Sequence, residues 1–185
     1  MTGWQVLDEE PLLDRWPWVR VIRQRLRLED GATVIDDWYQ VDVAPFAVIF
    51  ALTVDGQVAL VEQYRHALKR NVLELPAGHI ADGEPPLVAA RRELLEEAGL
   101  QSEHWQPLGE WVVDPNRGCG TAYAFLARQA VLAAKPVAVD LQSQTVRYLP
   151  LDEVRAMFRR GDFPVLATVA TLGMAFALLD SSGDR

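Results

Sequence analysis

The chain has 185 residues, 50% of them hydrophobic and 24% charged, which is the composition of a globular protein with one sizeable core. Its net charge of −8 and pI near 4.9 argue against non-specific nucleic-acid binding, since no basic stripe is present. A single cysteine, Cys119, leaves no intrachain disulfide and no cysteine-based metal site, and without a visible signal peptide or membrane-spanning stretch we expect a cytoplasmic protein.

Stretches rich in β-forming residues, bounded by turn signals, predict strands along most of the chain. In chain order these strands cover residues 19–28, 33–43, 46–54, 57–64, 72–75, 105–113, 121–127 and 145–149. The turn sequences Glu29-Asp30-Gly31 and Asp55-Gly56 join the first four strands into two hairpins. Helices are predicted over residues 152–160 and 165–179, besides the one described below. The order of the elements indicates an α+β fold with a sheet flanked by helices.

The first part of the chain is predicted to be a strand-rich extension. We expect a boundary near Ala44-Pro45, with the extension over residues 1–44 and the main domain over residues 45–185. The extension is too small to bury its large aromatic side chains alone, so we expect a homodimer formed through it. These side chains are Trp4, Trp16, Trp18 and Trp38.

Residues 78–100, with the sequence GHIADGEPPLVAARRELLEEAGL, predict a loop followed by a helix. Pro85 and Pro86 suit a first helical turn, and Gly99 suits the left-handed position past the last turn. The apolar residues between them recur at steps of three and four, so they form one buried stripe. The stripe consists of Leu87, Ala90, Leu94 and Ala98.

Three carboxylates of this helix, those of Glu93, Glu96 and Glu97, lie within one turn of each other. Two such charges about 5 Å apart repel by roughly 3 kcal/mol at an effective dielectric of about 20. Arg92 is four residues before Glu96 and eight after Glu84, so it can neutralise one carboxylate. A hard divalent cation such as Mg²⁺ is the natural partner for the remaining negative charge. The alternative is a solvated acidic face.

The complete pattern of this segment is identified as the signature of the Nudix hydrolases. Its positions are Gly78, Glu84, Arg92-Glu93-Leu94, Glu96-Glu97 and Gly99-Leu100. Upstream, Gln63-Tyr64-Arg65 and Glu74-Leu75-Pro76-Ala77-Gly78 resemble the ADP-ribose (ADP-sugar) pyrophosphatase branch. The resemblance implies a Nudix fold, in which helices sandwich a mixed sheet. It also implies hydrolysis of a nucleoside diphosphate sugar, with ADP-ribose as the leading candidate, to a nucleoside monophosphate and a sugar phosphate.

The resemblance also implies a metal-binding set. The carbonyl of Ala77 and the carboxylates of Glu93 and Glu97 would bind Mg²⁺ or Mn²⁺, with Glu96 as an additional ligand. Together with Arg92, the three glutamates would form the catalytic machinery for attack of water on phosphorus.

Three further residues are candidates for binding the nucleotide sugar. Arg65 would contact a phosphate or the terminal ribose, or it would form a strand-end salt bridge. Trp18 and Trp38, each assigned to one of the N-terminal strands, resemble the aromatics between which the family stacks adenine. The alternative for both tryptophans is packing in the core or at a dimer interface.

The general base is left open, because the loop Asp140 to Gln144 reads DLQSQ where relatives tend to place a glutamate. Gln142 and Gln144 cannot accept a proton at neutral pH. Asp140 or Glu96 is then the base, or the metal activates the water without a separate side chain; we favour Glu96. Other outcomes include hydrolysis of a GDP-sugar, a dinucleotide or an oxidised nucleoside triphosphate, and a Nudix module that senses a nucleotide sugar without cleaving it.

Overall fold

The computed structural model describes residues 3–136 and 144–182 of the chain. Within these ranges the chain divides into two compact units. The first unit contains residues 3–45 and 112–121, and the second contains residues 46–111 and 122–182.

The described part of the first unit forms an antiparallel sheet in the order β1-β2-β3. Its strands are β1 (Gln5–Arg15), β2 (Val19–Arg27) and β3 (Val34–Asp42). Strands β2 and β3 confirm the predicted first hairpin, which turns at Gly31 with a left-handed φ of +70°. The carboxylate of Asp30 stabilises this turn by accepting hydrogen bonds from the Ala32 and Thr33 N–H groups at 3.0 and 2.8 Å.

Strand β1 was not predicted, since it contains Pro11 and is exposed along almost its whole length. It forms because β2 offers cross-strand partners, as between Arg23 and Glu10, whose charged groups lie 2.5 Å apart. The placement of Trp18 in a strand was wrong. Trp18 lies in the turn between β1 and β2, and its N–H closes that turn on the Arg15 carbonyl at 2.9 Å.

The second unit contains a mixed sheet in the order β11-β5-β4-β10-β8, with β6 beside β5, β7 beside β4 and β9 beside β10. The described strands are β4 (Phe46–Thr53), β5 (Gln57–Arg65), β6 (Arg70–Glu74), β7 (Ala77–His79), β8 (Leu100–Gln101), β9 (His104–Asp114), β10 (Cys119–Leu132) and β11 (Thr145–Pro150), and the helices are α1 (Pro86–Ala98), α2 (Leu151–Arg160) and α3 (Leu166–Ser182). Strand β10 runs parallel to β4. Five pairs of this sheet are antiparallel, namely β10–β8, β11–β5, β4–β5, β4–β7 and β5–β6.

Alternation along β4 gives this sheet two buried faces. Ala47 and Ile49 pack in one apolar cluster with Leu94 of α1, while Val48 and Phe50 pack in another with α2 and α3. The predicted stripe of α1 is confirmed, with Ala90, Leu94 and Ala98 fully buried and Leu87 partly buried. Helix α1 is thereby fixed against one side of the sheet. None of the described helices combines the length and hydropathy that crossing a membrane requires.

The end of α1 leads to a prediction about Gly99. Gly99 and Gly161 end α1 and α2 with left-handed φ angles of +65° and +76°. A Cβ at Gly99 would lie 2.3 Å from the Ala134 carbonyl oxygen, whereas one at Gly161 would meet nothing within 4 Å. Gly161→Ala should lower the free energy of unfolding by about 1 kcal/mol through backbone strain alone. Gly99→Ala should lower it further, because backbone must also move.

Urea denaturation of both variants measures the difference. Equal losses in the two proteins would contradict the close approach of Ala134 to the end of α1.

Candidate active site

The glutamates of α1 meet strand β7, which crosses the same face of the helix. Glu93 and Glu97 are both buried. The N–H of Ala77 donates a hydrogen bond to Glu97 Oε2 at 2.8 Å. A Cβ on Gly78 would lie 2.0 Å from Glu93 Cδ, so only glycine lets the carboxylate sit against the strand. The structure therefore brings together Ala77, Glu93 and Glu97.

The guanidinium of Arg92 connects the rest of the motif. Its Nε and Nη2 donate to the two oxygens of Glu84, both at 3.1 Å. Its Nη1 donates to Glu93 Oε1 at 2.5 Å and to Glu96 Oε2 at 3.3 Å, and Nη2 also donates to the His79 carbonyl at 2.9 Å. These bonds use all the N–H donors of an arginine.

The contact with Glu84 has an electrostatic consequence for both partners. Hydrogen bonding to Glu84, and then to Glu93, raises the pKa of Arg92. The pKa of Glu84 is lowered, first by the Arg92 hydrogen bond and then by the hydrogen bond from the Ala81 N–H. The loop before α1 is therefore tied to the helix by a charged pair in which both groups are ionised at neutral pH.

The donor chemistry of the cluster fits a hard divalent cation. Arg92 carries one positive charge and contacts three carboxylates, and the buried carboxylate of Glu97 adds a further negative charge beside Ala77. Carboxylate and carbonyl oxygens are the ligands that Mg²⁺ and Mn²⁺ take. In the described structure the glutamates turn toward Arg92 and Ala77, and no three His, Cys, Asp or Glu side chains of the described ranges gather around a common metal position.

Arg65 forms a strand-end salt bridge, which is one of the two roles that the sequence suggested for it. Its Nε and Nη2 donate to the two oxygens of Glu74 at 2.7 and 2.8 Å. The carboxylate of Glu74 is buried, while the side chain of Arg65 remains partly exposed. The paired geometry fixes the guanidinium at the end of β5.

Trp18 and Trp38 are not brought together within one chain. Trp38 is paired with Gln24 in the register of β2 and β3, and Trp18 precedes Gln24 by six residues, which is about 20 Å of extended strand. Trp18 is 71% exposed, whereas Trp38 makes an edge contact with Trp4 at 5.3 Å between ring centroids. A planar base cannot stack between both rings of one chain at that separation.

Three polar contacts in this region were not anticipated. The N–H of Leu75 donates to the buried Thr168 hydroxyl at 3.4 Å, which ties the segment before Ala77 to α3. Gln144 contacts both Glu97 and Gln63. The sequence signal for Gln63 is a polar residue within the buried run of β5. Asp140 and Gln142, which were named with Gln144 in the discussion of the base, lie outside the described residues.

Comparison with known proteins establishes the family and the fold. The NUDIX domain model matches residues 43–169. A solved structure of an ADP compounds hydrolase matches with a TM-score of 0.81 over 100% of this chain and 98% of that chain, at 19% sequence identity. That likeness bears on the fold alone. The predicted fold, a mixed sheet between helices with an N-terminal strand extension, is confirmed.

The relatives of similar sequence include two ADP-ribose pyrophosphatases. An ADP-ribose pyrophosphatase of Mycobacterium tuberculosis is 30% identical over 154 residues, which are 82% of this chain and 72% of that protein. An ADP-ribose pyrophosphatase of Bacillus subtilis is 32% identical over 81 residues, which are 44% of each protein.

The ion pair between Arg92 and Glu84 predicts how stability varies with pH. The folded-state pKa of Glu84 lies below its ordinary value of 4.5, so its ion pair stabilises the fold above that value and the contribution is lost as the pH falls through the folded-state pKa. Glu84→Gln should lower the free energy of unfolding near pH 7, and this difference from the native protein should shrink as the pH falls through the folded-state pKa of Glu84.

Urea denaturation of both proteins between neutral and acidic pH measures this difference in the free energy of unfolding. A difference that does not change with pH would show that the ion pair with Arg92 does not stabilise the fold.

Proposed function

The chain belongs to the Nudix family and is a pyrophosphohydrolase, and from this premise we propose that it hydrolyses the diphosphate bond of a nucleoside diphosphate sugar. ADP-ribose is the leading substrate, with a nucleoside monophosphate and a sugar phosphate as products. The observation that carries the proposal is the convergence of Ala77, Glu93 and Glu97 beside the guanidinium of Arg92. The ADP-ribose pyrophosphatases among the similar proteins support the choice of substrate.

We assign the metal ligands to the Ala77 carbonyl and the carboxylates of Glu93, Glu96 and Glu97, with Mg²⁺ or Mn²⁺ as the cation. A bound cation would neutralise charge on the diphosphate and make an attacking water more acidic. Arg92 holds Glu93 and Glu96 in place, and the N–H of Ala77 holds Glu97. These contacts restrict the orientations that the three carboxylates can take before substrate arrives.

Glu96 is our choice for the general base. Its side chain is 35% exposed against 12% for Glu93, and its contact with Arg92 is longer, 3.3 Å against 2.5 Å. Glu96 is therefore the carboxylate that water reaches most easily. It would take the proton from the water that attacks phosphorus, while the bond from that phosphorus to the bridging oxygen breaks and the bridging oxygen leaves on the other phosphate.

The residues proposed to contact the nucleotide sugar are chosen because their side chains are exposed. Arg65, fixed by Glu74 and partly exposed, would bind a phosphate or the terminal ribose. Trp18 presents an exposed aromatic face on which a base can stack. Because Trp38 of the same chain lies about 20 Å away along the sheet, stacking between both residues requires Trp38 from a second subunit.

A homodimer through residues 1–44 is part of the proposal. The described residues of this segment expose many large apolar side chains, which pairing with a second subunit would bury. They are Trp4, Val6, Leu12, Leu13, Trp16, Trp18 and Tyr39. A cytoplasmic location completes the proposal, since the thiol of Cys119 is free, as expected in a reducing compartment.

The metal assignment predicts the behaviour of three variants. Hydrolysis of a panel of nucleotide sugars, followed as newly exposed phosphomonoester, should require Mg²⁺ or Mn²⁺. Glu93→Gln and Glu97→Gln should abolish most turnover with little change in melting temperature, because each removes a charged ligand. Gly78→Ala should act in the same way, since its methyl group would displace the carboxylate of Glu93.

Gly173→Ala is the matched control, because a Cβ there meets only ordinary contacts. Near-native turnover in either glutamate variant would remove that residue from the metal site. If no nucleotide sugar is hydrolysed, the alternative of a Nudix module that senses a nucleotide sugar without cleaving it is favoured. If only another kind of nucleotide is cleaved, the proposed substrate class is wrong.

The assignment of the base predicts a contrast between Glu96 and Asp140. Glu96→Gln should lower turnover by about 10² to 10⁴, as loss of a general base does, with a smaller change in apparent substrate affinity. Asp140→Asn should be nearly silent in the same assay. If Asp140→Asn is the crippling change, Glu96 is not the base. If neither variant loses much turnover, no side chain is needed as base, and the pH profile would report only the ionisation of water.

The exposed apolar side chains predict the mass of the protein in solution. Light scattering at micromolar concentration should give about twice the chain mass, because pairing through residues 1–44 would bury these side chains. Replacing Leu12 and Leu13 together by Asp should shift the protein toward monomer. A monomeric native protein would contradict both the dimer and base stacking between Trp18 and the partner subunit's Trp38.

A further inference from the structure

The side-chain amide of Gln144 contacts both helix α1 and strand β5. Thr145 pairs with Glu62 in the antiparallel register of β11 and β5, so Gln144 falls opposite Gln63. Gln144 Nε2 lies 3.4 Å from Gln63 Oε1 and 3.4 Å from Glu97 Oε1. The other oxygen of Glu97 accepts the N–H of Ala77. Both oxygens of Glu97 are therefore held by neutral N–H donors.

The acceptor chemistry of Glu97 determines how the two amides are oriented. An ionised carboxylate only accepts hydrogen bonds, so Gln144 has to turn its NH₂ group toward Glu97. The second hydrogen of that NH₂ group then points to the carbonyl oxygen of Gln63. Gln63 is buried, where its amide oxygen needs a donor. The three side chains form a directed chain of hydrogen bonds.

We propose that Gln144 is a positioning residue that orients the Glu97 carboxylate for a divalent cation. Gln63 holds Gln144 in place by accepting its second N–H. The role toward the cation rests on the proposed function. A neutral amide suits this task, because it fixes the carboxylate oxygen without cancelling its charge. A lysine or arginine there would compete with the cation, and a glutamate would repel Glu97.

Gln144 thereby has a role that does not require it to transfer a proton. Gln144 cannot accept a proton at neutral pH, but it can donate to a metal ligand. Hydrogen bonds that orient a ligating side chain commonly affect metal affinity by about 10- to 100-fold. Orientation is also separable from folding, since Gln144 is only partly buried and directly precedes β11.

Metal binding without substrate provides the first test. Gln144→Met keeps the length of the side chain but removes its donor, and Mn²⁺ affinity measured by electron paramagnetic resonance should fall about 10- to 100-fold. The melting temperature of the metal-free protein should not change. Gln101→Met, the same exchange at an exposed residue of β8, is the control and should bind Mn²⁺ normally. In a Glu97→Gln background, adding Gln144→Met should cause no further loss.

The hydrogen bond itself is tested by nuclear magnetic resonance of the metal-free protein. The side-chain NH₂ signals of Gln144 are identified by their disappearance in Gln144→Met, and Glu97→Gln should shift them.

Native Mn²⁺ affinity in Gln144→Met would overturn the role of Gln144 while leaving the proposed function intact. NH₂ signals that do not shift in Glu97→Gln would do the same. A native protein that binds no Mn²⁺ would refute the metal dependence of the proposed function, and with it any role of Gln144 toward a cation.

Discussion

The fork of hydrogen bonds around Arg92 is the interaction on which the candidate site depends. One guanidinium holds Glu84 of the loop, Glu93 and Glu96 of the helix, and the carbonyl of His79 in β7. Lysine could not replace it, because an ammonium group has three donors and no planar fork. Arg92 therefore joins three segments of chain and partly offsets the repulsion of clustered carboxylates.

Close approach of helix and strand completes this arrangement. The carboxylate of Glu93 fills the space that any side chain at residue 78 would need, and the N–H of Ala77 reaches Glu97. Buried carboxylates are costly unless they have partners. The apolar side of α1, packed through Leu94 on the sheet, holds the charged side at this distance from β7. Core packing and site geometry are thus two sides of one helix.

The sequence predicted the features that depend on local chemistry. The helix from Pro86 to its end at Gly99, and the hairpin at Asp55-Gly56, follow from residues only a few positions apart. The motif also allowed Arg92 to be paired with Glu84 and Glu96 by spacing. Glu93 as a further partner of Arg92 became visible only in the structure, because i and i+1 residues do not face each other on a helix.

Features set by strand register could not be predicted. The separation of Trp18 from Trp38 depends on how β2 and β3 pair, and Gln144 meets Gln63 across 81 residues of chain. Strand β1 lacks an apolar alternation because it is exposed on both faces.

We propose that Arg92 and β7 hold the carboxylates of Glu93, Glu96 and Glu97 around one cation site. Anomalous diffraction from crystals soaked in Mn²⁺ tests it most directly. We expect a peak about 2 Å from oxygens of Glu93, Glu97 and the Ala77 carbonyl, with Arg92 still bound to Glu84. A peak elsewhere, or none in a protein whose hydrolysis requires Mn²⁺, would contradict the account.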